Sequence, residues 1–321
     1  MTRTVHVIDG QSLRDRPSLV NQLESRRLGE SSQRPQTLVV LGAAATRPGV
    51  VVLPGGRQGP GALRRWLNSR PVDMLMAWGE HALTAVGAQA LPCAAVLDGL
   101  SDRAAQTAAI KWMRDRRMPV FVSSPMLGDR IDTWTSGRAR VRDFAPKCEV
   151  KHGELDANAL EVIGEGGEAL RVRPVLNPAI RLGLAGRALR CVASGSFADR
   201  HACHAMLVSL DLPGLDSATP RQCAWVGGAA PAAMWRGSEP VLGLIALWTR
   251  GSRLLLPRGH AGASVLGVDD GTVLNCDVRA GAAAEEMEAQ APVCTREARV
   301  AAWQAAEDVC CGEAYVAAQH S

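Results

Sequence analysis

The chain has 321 residues, of which 47% are hydrophobic and 21% are charged. This composition is that of a folded globular protein, so it excludes an intrinsically disordered chain, and the length favours two domains. The formal net charge is only +4 and no basic block is present, which argues against a dedicated nucleic-acid-binding protein.

The nine cysteines are an odd number, and no two of them form a CxxC pair. Most lie in apolar runs, so the sequence predicts reduced, buried cysteines in a cytoplasmic protein. His201, Cys203 and His204 are metal-binding residue types, but no second cluster has a matching spacing, so no metal site is predicted. The N-terminal segment lacks a signal-peptide core, and no run approaches the ~20 apolar residues of a membrane span.

The first half of the chain alternates short apolar strands with amphipathic segments. Predicted strands cover residues 4–8, 37–41, 50–53, 72–77, 94–97 and 119–123. Predicted helices cover residues 18–28, 61–68, 80–90 and 103–114. Because this alternation is typical of strand–helix–strand units, it predicts a parallel sheet with helices on both faces.

The second half repeats the alternation after residues 148–178, which are interpreted as a connection between two lobes. Predicted strands cover residues 189–193, 223–226, 253–256 and 272–275. Predicted helices cover residues 199–210, 241–248, 282–289 and 296–318. Ligands of such sheets bind at the carboxyl ends of the strands, so a ligand is expected between the two lobes.

The fold class predicted from this pattern is α/β, with two Rossmann-like lobes and parallel sheets. The first lobe covers residues 1–165, and a smaller second lobe covers residues 166–295. A C-terminal helix within 296–321 is expected to pack back on the first lobe.

Three common enzyme motifs are missing from the sequence. Residues 9–14, which follow the first strand, do not match the GxGxxG fingerprint of dinucleotide-binding folds. Neither a GxxxxGK[ST] loop nor a GxSxG nucleophile elbow occurs in the chain. These absences argue against a dinucleotide-dependent oxidoreductase, a P-loop enzyme and an α/β-hydrolase.

Eight segments spread over nearly the whole chain are similar, in order, to the motifs of one known family. They are residues 5–9, 72–79, 120–125, 192–201, 225–228, 238–244, 249–256 and 267–274. On these residues, and most specifically on the order and spacing of the last three segments, the chain resembles the family 4 glycosyltransferases, which have the GT-B fold.

The resemblance implies a retaining hexosyl transfer from a nucleotide sugar bound in the C-terminal lobe. The acceptor would be a glycan or a lipid-linked molecule. No cofactor, nucleic acid or transmembrane segment is implied, and peripheral contact with a membrane is left open.

The resemblance also implies which residues form the donor site. Family members use an Arg and a Lys to neutralise the donor diphosphate, whose charge grows in the transition state. Ser196 stands at the Arg position and Arg200 at the Lys position. The first hallmark glutamate is retained as Glu239, whereas the second falls near Ala246 or Leu247 and is missing. The segment between Arg200 and Glu239 is short, so the donor lobe is expected to be reduced.

The histidine of the family's fourth strand has no counterpart at Met76 or Trp78, and His81, one turn into the next helix, is the candidate substitute. The implied catalytic residues are therefore Glu239, Arg200 and His81. The implied donor-binding residues are Gly195, Ser196, Gly227, Gly228, Glu239 and Gly243.

Each of these candidates also has a structural interpretation. Glu239, between Ser238 and Pro240, suits the start of a helix, and the glycines suit turns. Arg200 and His81 could be polar residues on a helix face. Two functional hypotheses follow: an active glycosyltransferase with a reduced donor site, and a catalytically inactive relative that acts as a binding or scaffold protein.

Overall fold

A computed structural model gives the fold of the chain as two compact units, one within residues 1–147 and one within residues 148–305. The structure describes residues 3–29, 36–42, 49–100, 103–144, 155–165, 170–187, 189–195, 197–211, 222–228, 230–231, 240–257, 259–266, 273–275 and 280–288. None of the helices in these ranges is both long enough and apolar enough to cross a membrane.

The first unit is built around a seven-stranded parallel sheet. Its strands are β1 Thr4–Asp9, β2 Gln36–Leu41, β3 Val50–Leu53, β4 Met74–Trp78, β5 Cys93–Leu97, β6 Pro119–Val122 and β7 Arg140–Asp143. Its helices are α1 Gly10–Asp15, α2 Pro17–Gly29, α3 Gly59–Leu67, α4 Glu80–Gly87, α5 Arg103–Arg116 and α6 Pro125–Thr135, with a 3-10 turn at Gly56–Gln58.

The strand order of this sheet is β3-β2-β1-β4-β5-β6-β7, and every neighbouring pair is parallel. All six residues of β1 are buried, as expected for a strand of a parallel sheet that is covered on both faces. One face packs Val5 and Val7 against a core that also contains Leu83 of α4 and Met113 of α5. The order reverses direction between β1 and β4.

The second unit is built around a five-stranded parallel sheet. Its strands are β8 Leu155–Gly164, β10 Arg190–Gly195, β11 Gln222–Gly228, β13 Arg253–Leu256 and β14 Val273–Asn275, and β9 Leu170–Arg171 pairs separately with β12 Ala230–Pro231. Its helices are α7 Arg173–Leu184, α8 Phe197–Ser209, α9 Leu242–Thr249, α10 Ala261–Leu266 and α11 Ala280–Glu288. The sheet order is β10-β8-β11-β13-β14, so the order reverses between β8 and β11.

The two faces of this second sheet are covered unequally within the described ranges. Helices α7, α8 and α11 share one apolar cluster with Leu160 and Val162 of β8 and Cys191 of β10. The cluster on the other face, beneath α9, contains Ile163 of β8 and residues of β11 and β13, but none of β10. Within the described ranges the sheet of the second unit is the smaller one, with five strands against seven, in agreement with the reduced second lobe that the sequence predicts.

The predicted α/β class with two parallel-sheet units is confirmed, but residues 148–178 differ from their interpretation as a connection. They contain β8 and the first half of α7, and β8 pairs with β10 and β11 in the second sheet instead of belonging to a lobe that ends at residue 165. Polar residues along β8, such as Asp156 and Asn158, conceal the strand in the sequence. Helix α6 and strand β7 were also not predicted, and the predicted helix 296–318 lies outside the described residues.

Candidate functional site

Each sheet has one position where the strand order reverses, and in open α/β sheets ligands bind outside the carboxyl ends of the strands at that position. In the first unit this position lies between β1 and β4, and in the second it lies between β8 and β11.

Asp9 ends β1 and lies at the reversal point of the first sheet. Its Oδ1 accepts hydrogen bonds from the backbone N–H groups of Gln11 at 2.7 Å and Ser12 at 3.0 Å, and its Oδ2 accepts one from Ser12 Oγ at 3.2 Å. Burial raises the pKa of Asp9, while the charge of His81 and the two N–H groups oppose that rise and the charge of Glu80 adds to it. Asp9 is therefore a buried carboxylate held in one orientation next to His81.

Gly79 joins β4 to α4 and lets the α1 corner approach the end of β4. Its φ of +88° is a conformation that favours glycine, and a Cβ at this position would lie 2.6 Å from Ser12 Oγ. The next two residues, Glu80 and His81, form the first turn of α4. The close approach thus brings the start of α4 to the residues that follow β1.

Glu80 is fully buried and forms an ion pair with Arg16, which is 1% exposed. Arg16 Nη2 lies 3.3 Å from Glu80 Oε1, and Arg16 Nη1 donates to the carbonyl oxygen of Gly99 at 2.6 Å. Gly99 follows β5, so this one guanidinium group connects the α1–α2 corner, the start of α4 and the segment after β5.

Polar side chains continue along the same edge of the sheet. Asp98 follows β5 directly, is fully buried, and accepts a hydrogen bond from Ser123 Oγ at 2.7 Å. Ser124 precedes α6 and is also fully buried, and its Oγ has no hydrogen-bond partner among the residues that the structure describes. The carboxyl ends of β1, β4, β5 and β6 therefore present a row of buried polar groups.

Of the residues in this row, only His81 is a predicted site residue, and the structure places it close enough to Asp9 for its charge to act on that carboxyl group. Asp9, Arg16, Glu80 and Asp98 were missed. The sequence does contain a signal for two of these residues. Each is an acidic residue that stands directly after an apolar strand or two residues after it. Asp98 and Glu80 follow β5 and β4 in this way.

Glycines occupy the strand ends at the reversal point of the second sheet. Gly195 ends β10 and Gly227 and Gly228 end β11, on either side of the end of β8 at Gly164. The predicted donor-site glycines thus lie at one edge of one sheet. Glu165, directly after β8, is a buried carboxyl group at the same edge.

Internal packing accounts for each of these three glycines. Gly195 has a φ of +118°, and a Cβ there would overlap the carbonyl oxygen of Gly164. A Cβ on Gly227 would overlap Val175 Cγ1, and one on Gly228 would lie 2.7 Å from Leu244 Cδ1. The backbone and the core of the second unit therefore require that these three positions carry no side chain.

Two further predicted residues lie in the first turns of helices of the second unit. Arg200 is exposed in the first turn of α8, which begins directly beyond the end of β10. Gly243 is half-buried in the first turn of α9. Ser196 and Glu239 lie outside the described residues. His81 belongs to the first unit, so the structure divides the predicted residues between two separate sheet edges.

Neither sheet edge offers a metal site within the described ranges, where no three His, Cys, Asp or Glu side chains cluster as ligands would. The four described cysteines, Cys93, Cys191, Cys203 and Cys223, are free thiols. The last three are buried, as predicted, and Cys93 is half-buried.

The fold, in contrast to the sequence, has clear relatives. No family model matches the chain, and no curated protein matches its sequence. Sucrose-phosphate synthase from Thermosynechococcus elongatus has a similar structure, with a TM-score of 0.64, 11% identity and 98% of each chain covered. HepE from Anabaena, solved with UDP and glucose, has a TM-score of 0.63 and 11% identity over 97% of this chain and 95% of its own.

A third similar structure is a UDP-N-acetylglucosamine 2-epimerase homologue from Listeria monocytogenes, with a TM-score of 0.54, 12% identity, and 94% of this chain and 90% of its own covered. At such low identities the likeness shows the fold alone. The chain therefore has the α/β fold of the GT-B glycosyltransferases, a fold that the epimerase structure shares.

Proposed function

We propose that this protein is a nucleotide-sugar-dependent glycosyltransferase of the retaining, family 4 type, with a reduced donor site. The observation that carries the proposal is the row of buried polar side chains at the carboxyl edge of the first sheet, in a chain with the GT-B fold. Purely structural edges of parallel sheets have no need of buried carboxylates, because each one costs desolvation energy. A role in binding the acceptor would explain why these polar groups are buried at this edge.

The first unit would position the acceptor hydroxyl. His81 is half-buried beside the fixed carboxylate of Asp9, so its imidazole can hydrogen-bond a hydroxyl group that enters the reversal point. Asp9 would stabilise the positive charge that the imidazole gains when it takes up a proton from that hydroxyl. Replacement of His81 by Gln should then lower turnover by roughly 10²-fold or more, the usual effect of losing a positioned acid–base group.

The second unit would hold the donor. Arg200 projects from the first turn of α8, where the helix dipole also favours an anion, so the two together can neutralise part of a diphosphate. Gly195, Gly227 and Gly228 leave the adjoining strand ends without side chains. Ser196, Glu239 and Gly243 would complete the donor site as the family resemblance implies.

A catalytically inactive binding or scaffold protein is the second candidate, and the uneven cover of the second sheet favours it. The apolar cluster beneath α9 does not reach β10, so the described part of this unit lacks packing that would frame a nucleotide base there. The proposal therefore includes weak donor affinity.

Calorimetric titration of the full chain with UDP, GDP and their sugar derivatives tests the proposal. We expect measurable but weak binding, and we expect Arg200→Gln to weaken it, whereas Arg181→Gln, at an exposed arginine of α7, should not. Sub-micromolar affinity would contradict the reduced donor site, and no binding at millimolar nucleotide would contradict a transferase.

The protein is then incubated with a donor that it binds, and NMR of the anomeric proton of the product shows which reaction takes place. Transfer or slow hydrolysis with an unchanged anomeric configuration supports the proposal. An inverted configuration would contradict the retaining reaction and indicate direct displacement by the acceptor, and a change at carbon 2 of the sugar would identify an epimerase. Binding without any reaction would support the inactive candidate.

A further inference from the structure

Arg16 is a charged residue in an unusual place, because its side chain is almost fully buried in the first unit. It lies at the corner where α1 ends and α2 begins. Its backbone N–H donates to the carbonyl oxygen of Ser12 at 2.9 Å, and its own carbonyl accepts from the N–H of Val20 at 3.3 Å. Because Asp9 orients Ser12, the backbone of Arg16 is fixed relative to Asp9.

The guanidinium group reaches across the carboxyl edge of the sheet from this fixed corner. It holds Glu80, which directly precedes His81, and the carbonyl of Gly99 beyond β5. The same residue thus sets the position of the α1 corner, which carries the Asp9 contacts, and of the α4 turn, which carries His81.

Stability alone gives no reason for such a pair. Burying two charges costs several kcal/mol, and well-packed apolar residues often replace a buried ion pair without loss of stability. The core beside it is apolar and tightly closed, with Val7, Leu83 and Leu97 all fully buried. A charged pair therefore belongs at this edge because the site needs its charges.

We propose that Arg16 is a positioning residue for the Asp9–His81 pair, and that it acts through Glu80. This inference rests on the proposed function, in which Asp9 and His81 handle the acceptor hydroxyl. Arg16 pairs with Glu80 Oε1 and so offsets the negative charge that Glu80 adds near Asp9. Without Arg16, Glu80 would confront Asp9 as an uncompensated negative charge, and the first turn of α4 would lose its anchor.

The carboxyl group of Asp9 faces groups from two helices, and its titration reports on their charges. From α1 they are the N–H groups of Gln11 and Ser12, and from α4 they are the charges of Glu80 and His81. Titration of the Asp9 carboxyl carbon by ¹³C NMR follows the charge balance directly and needs no substrate. The Asp9→Asn variant assigns the resonance.

We expect Arg16→Met to move the Asp9 titration midpoint upward by about one pH unit, and Glu80→Gln to move it downward. In the Glu80→Gln background, Arg16→Met should have a much smaller effect, because the charge through which Arg16 acts is gone. Arg14→Met is the matched control, since Arg14 carries the same charge on the exposed side of α1, where its Nη2 donates to Gln11 Oε1 at 2.7 Å.

The outcome that overturns the proposal is an Asp9 midpoint that is the same in the wild type and in folded Arg16→Met, or a shift of equal size in both Glu80 backgrounds. If Arg16→Met does not fold, Glu80→Gln, which is nearly isosteric, and Arg16→Lys, which keeps the charge, still test the same coupling. Arg16→Lys should then leave the midpoint near its wild-type value.

Turnover adds a second, independent measurement. Arg16→Met should lower kcat at least tenfold, shift the acidic limb of the pH profile with the Asp9 midpoint, and leave the KM for donor unchanged. Failure of the proposed function would appear as absent turnover in the wild type with the NMR coupling intact. Failure of this inference would appear as normal turnover with the coupling absent.

Discussion

The indole N–H of Trp78 donates a hydrogen bond to Nδ1 of His6 at 3.0 Å, across two neighbouring strands of the first sheet. An indole can only donate, so Nδ1 of His6 must be the acceptor nitrogen and Nε2 must carry the proton. Nε2 then donates to Gln36 Oε1 at 2.8 Å. His6 is thus a neutral, fully hydrogen-bonded histidine inside a parallel sheet, and it precedes Asp9 in the same strand.

We expect the protein to lose stability in mild acid because of this histidine. Burial, with a smaller contribution from the charge of Arg27, lowers the pKa of His6 to about 4, against the hydrogen bond to Gln36. The folded-state pKa lies below the unfolded value of ~6.5, so its contribution is complete above pH ~6.5 and is lost as the pH falls towards 4. At pH 5 the loss should be about 2 kcal/mol.

Urea denaturation at pH 7.5 and at pH 5 measures this loss, and His6→Gln is the control. Glutamine can accept from Trp78 and donate to Gln36 without titrating, so the variant should lose about 2 kcal/mol less than the wild type between the two pH values. His260 of the second unit has its pKa lowered to about 4 by burial and should keep part of the acid sensitivity. Equal pH sensitivity in the variant and the wild type would show that His6 is protonated in the folded state.

A second prediction separates packing from ligand binding at Gly227. A Cβ there would overlap Val175 Cγ1 of α7, so Gly227→Ala should cost roughly 2 kcal/mol or more of unfolding free energy. Gly227→Ala with Val175→Ala should cost less than the sum of the two single changes, because the second change opens the required space. Additive losses measured by chemical denaturation would argue against this contact.

Nucleotide titration of the same variants completes the comparison. If Gly227 serves only packing, the double variant should bind UDP as the wild type does. Loss of binding in the folded double variant would instead give the glycine a direct role at the donor.

The fold could be predicted from the sequence where hydrophobic patterning is strong. Strand β1 is an uninterrupted buried run, and β13 is predicted with the bounds that the structure has. Strand β8 was missed because Asp156, Asn158 and Glu161 interrupt its apolar pattern. Such polar residues can contact side chains of strands that are distant in the sequence, as Asp156 of β8 contacts Arg190 of β10. The local hydrophobic pattern of the sequence does not indicate these contacts.

The candidate site was predictable only in part, for a related reason. His81 was predicted from the family resemblance, whereas Asp9, directly after the predicted first strand, was assigned no role. The link between Arg16 and Glu80 spans 64 positions, and no local pattern indicates which of many arginines turns inward. The glycines of the second unit were assigned by family resemblance, whereas their packing roles depend on Val175 and Leu244 in helices far along the chain.

The buried thiols of the second unit should resist alkylation. Burial raises the pKa of Cys191 to about 12, that of Cys203 to about 11 and that of Cys223 to about 12. At pH 8 roughly one molecule in a thousand or fewer would carry a given thiolate. Iodoacetamide followed by peptide mapping should therefore leave these three unmodified in the native protein and label them in denaturant. Modification of Cys203 at the rate of an unhindered thiol would contradict its buried position.

Glu161 should weaken the second unit at neutral pH. It lies inside β8, where burial raises its pKa although a hydrogen bond with Ser194 and the charge of Arg250 act in the opposite direction. Because its folded-state pKa is above the unfolded value, the protonated form stabilises the fold below pH ~4.5, and that contribution is lost as the pH rises through the folded-state pKa. Glu161→Gln keeps a hydrogen-bonding partner for Ser194 without the charge, so its denaturation midpoint at pH 7.5 should exceed that of the wild type.

The pH dependence of this gain distinguishes its cause. The advantage of Glu161→Gln should shrink towards pH 4.5, where the wild-type side chain is itself protonated. Glu285→Gln is the matched control, since it removes the same charge from an exposed position of α11 and should change neither the midpoint nor its pH dependence. A lower midpoint for Glu161→Gln at pH 7.5 would mean that attraction to Arg250 outweighs desolvation. The ionised pair would then help to hold the face of the second sheet near β10, which the apolar cluster beneath α9 does not reach.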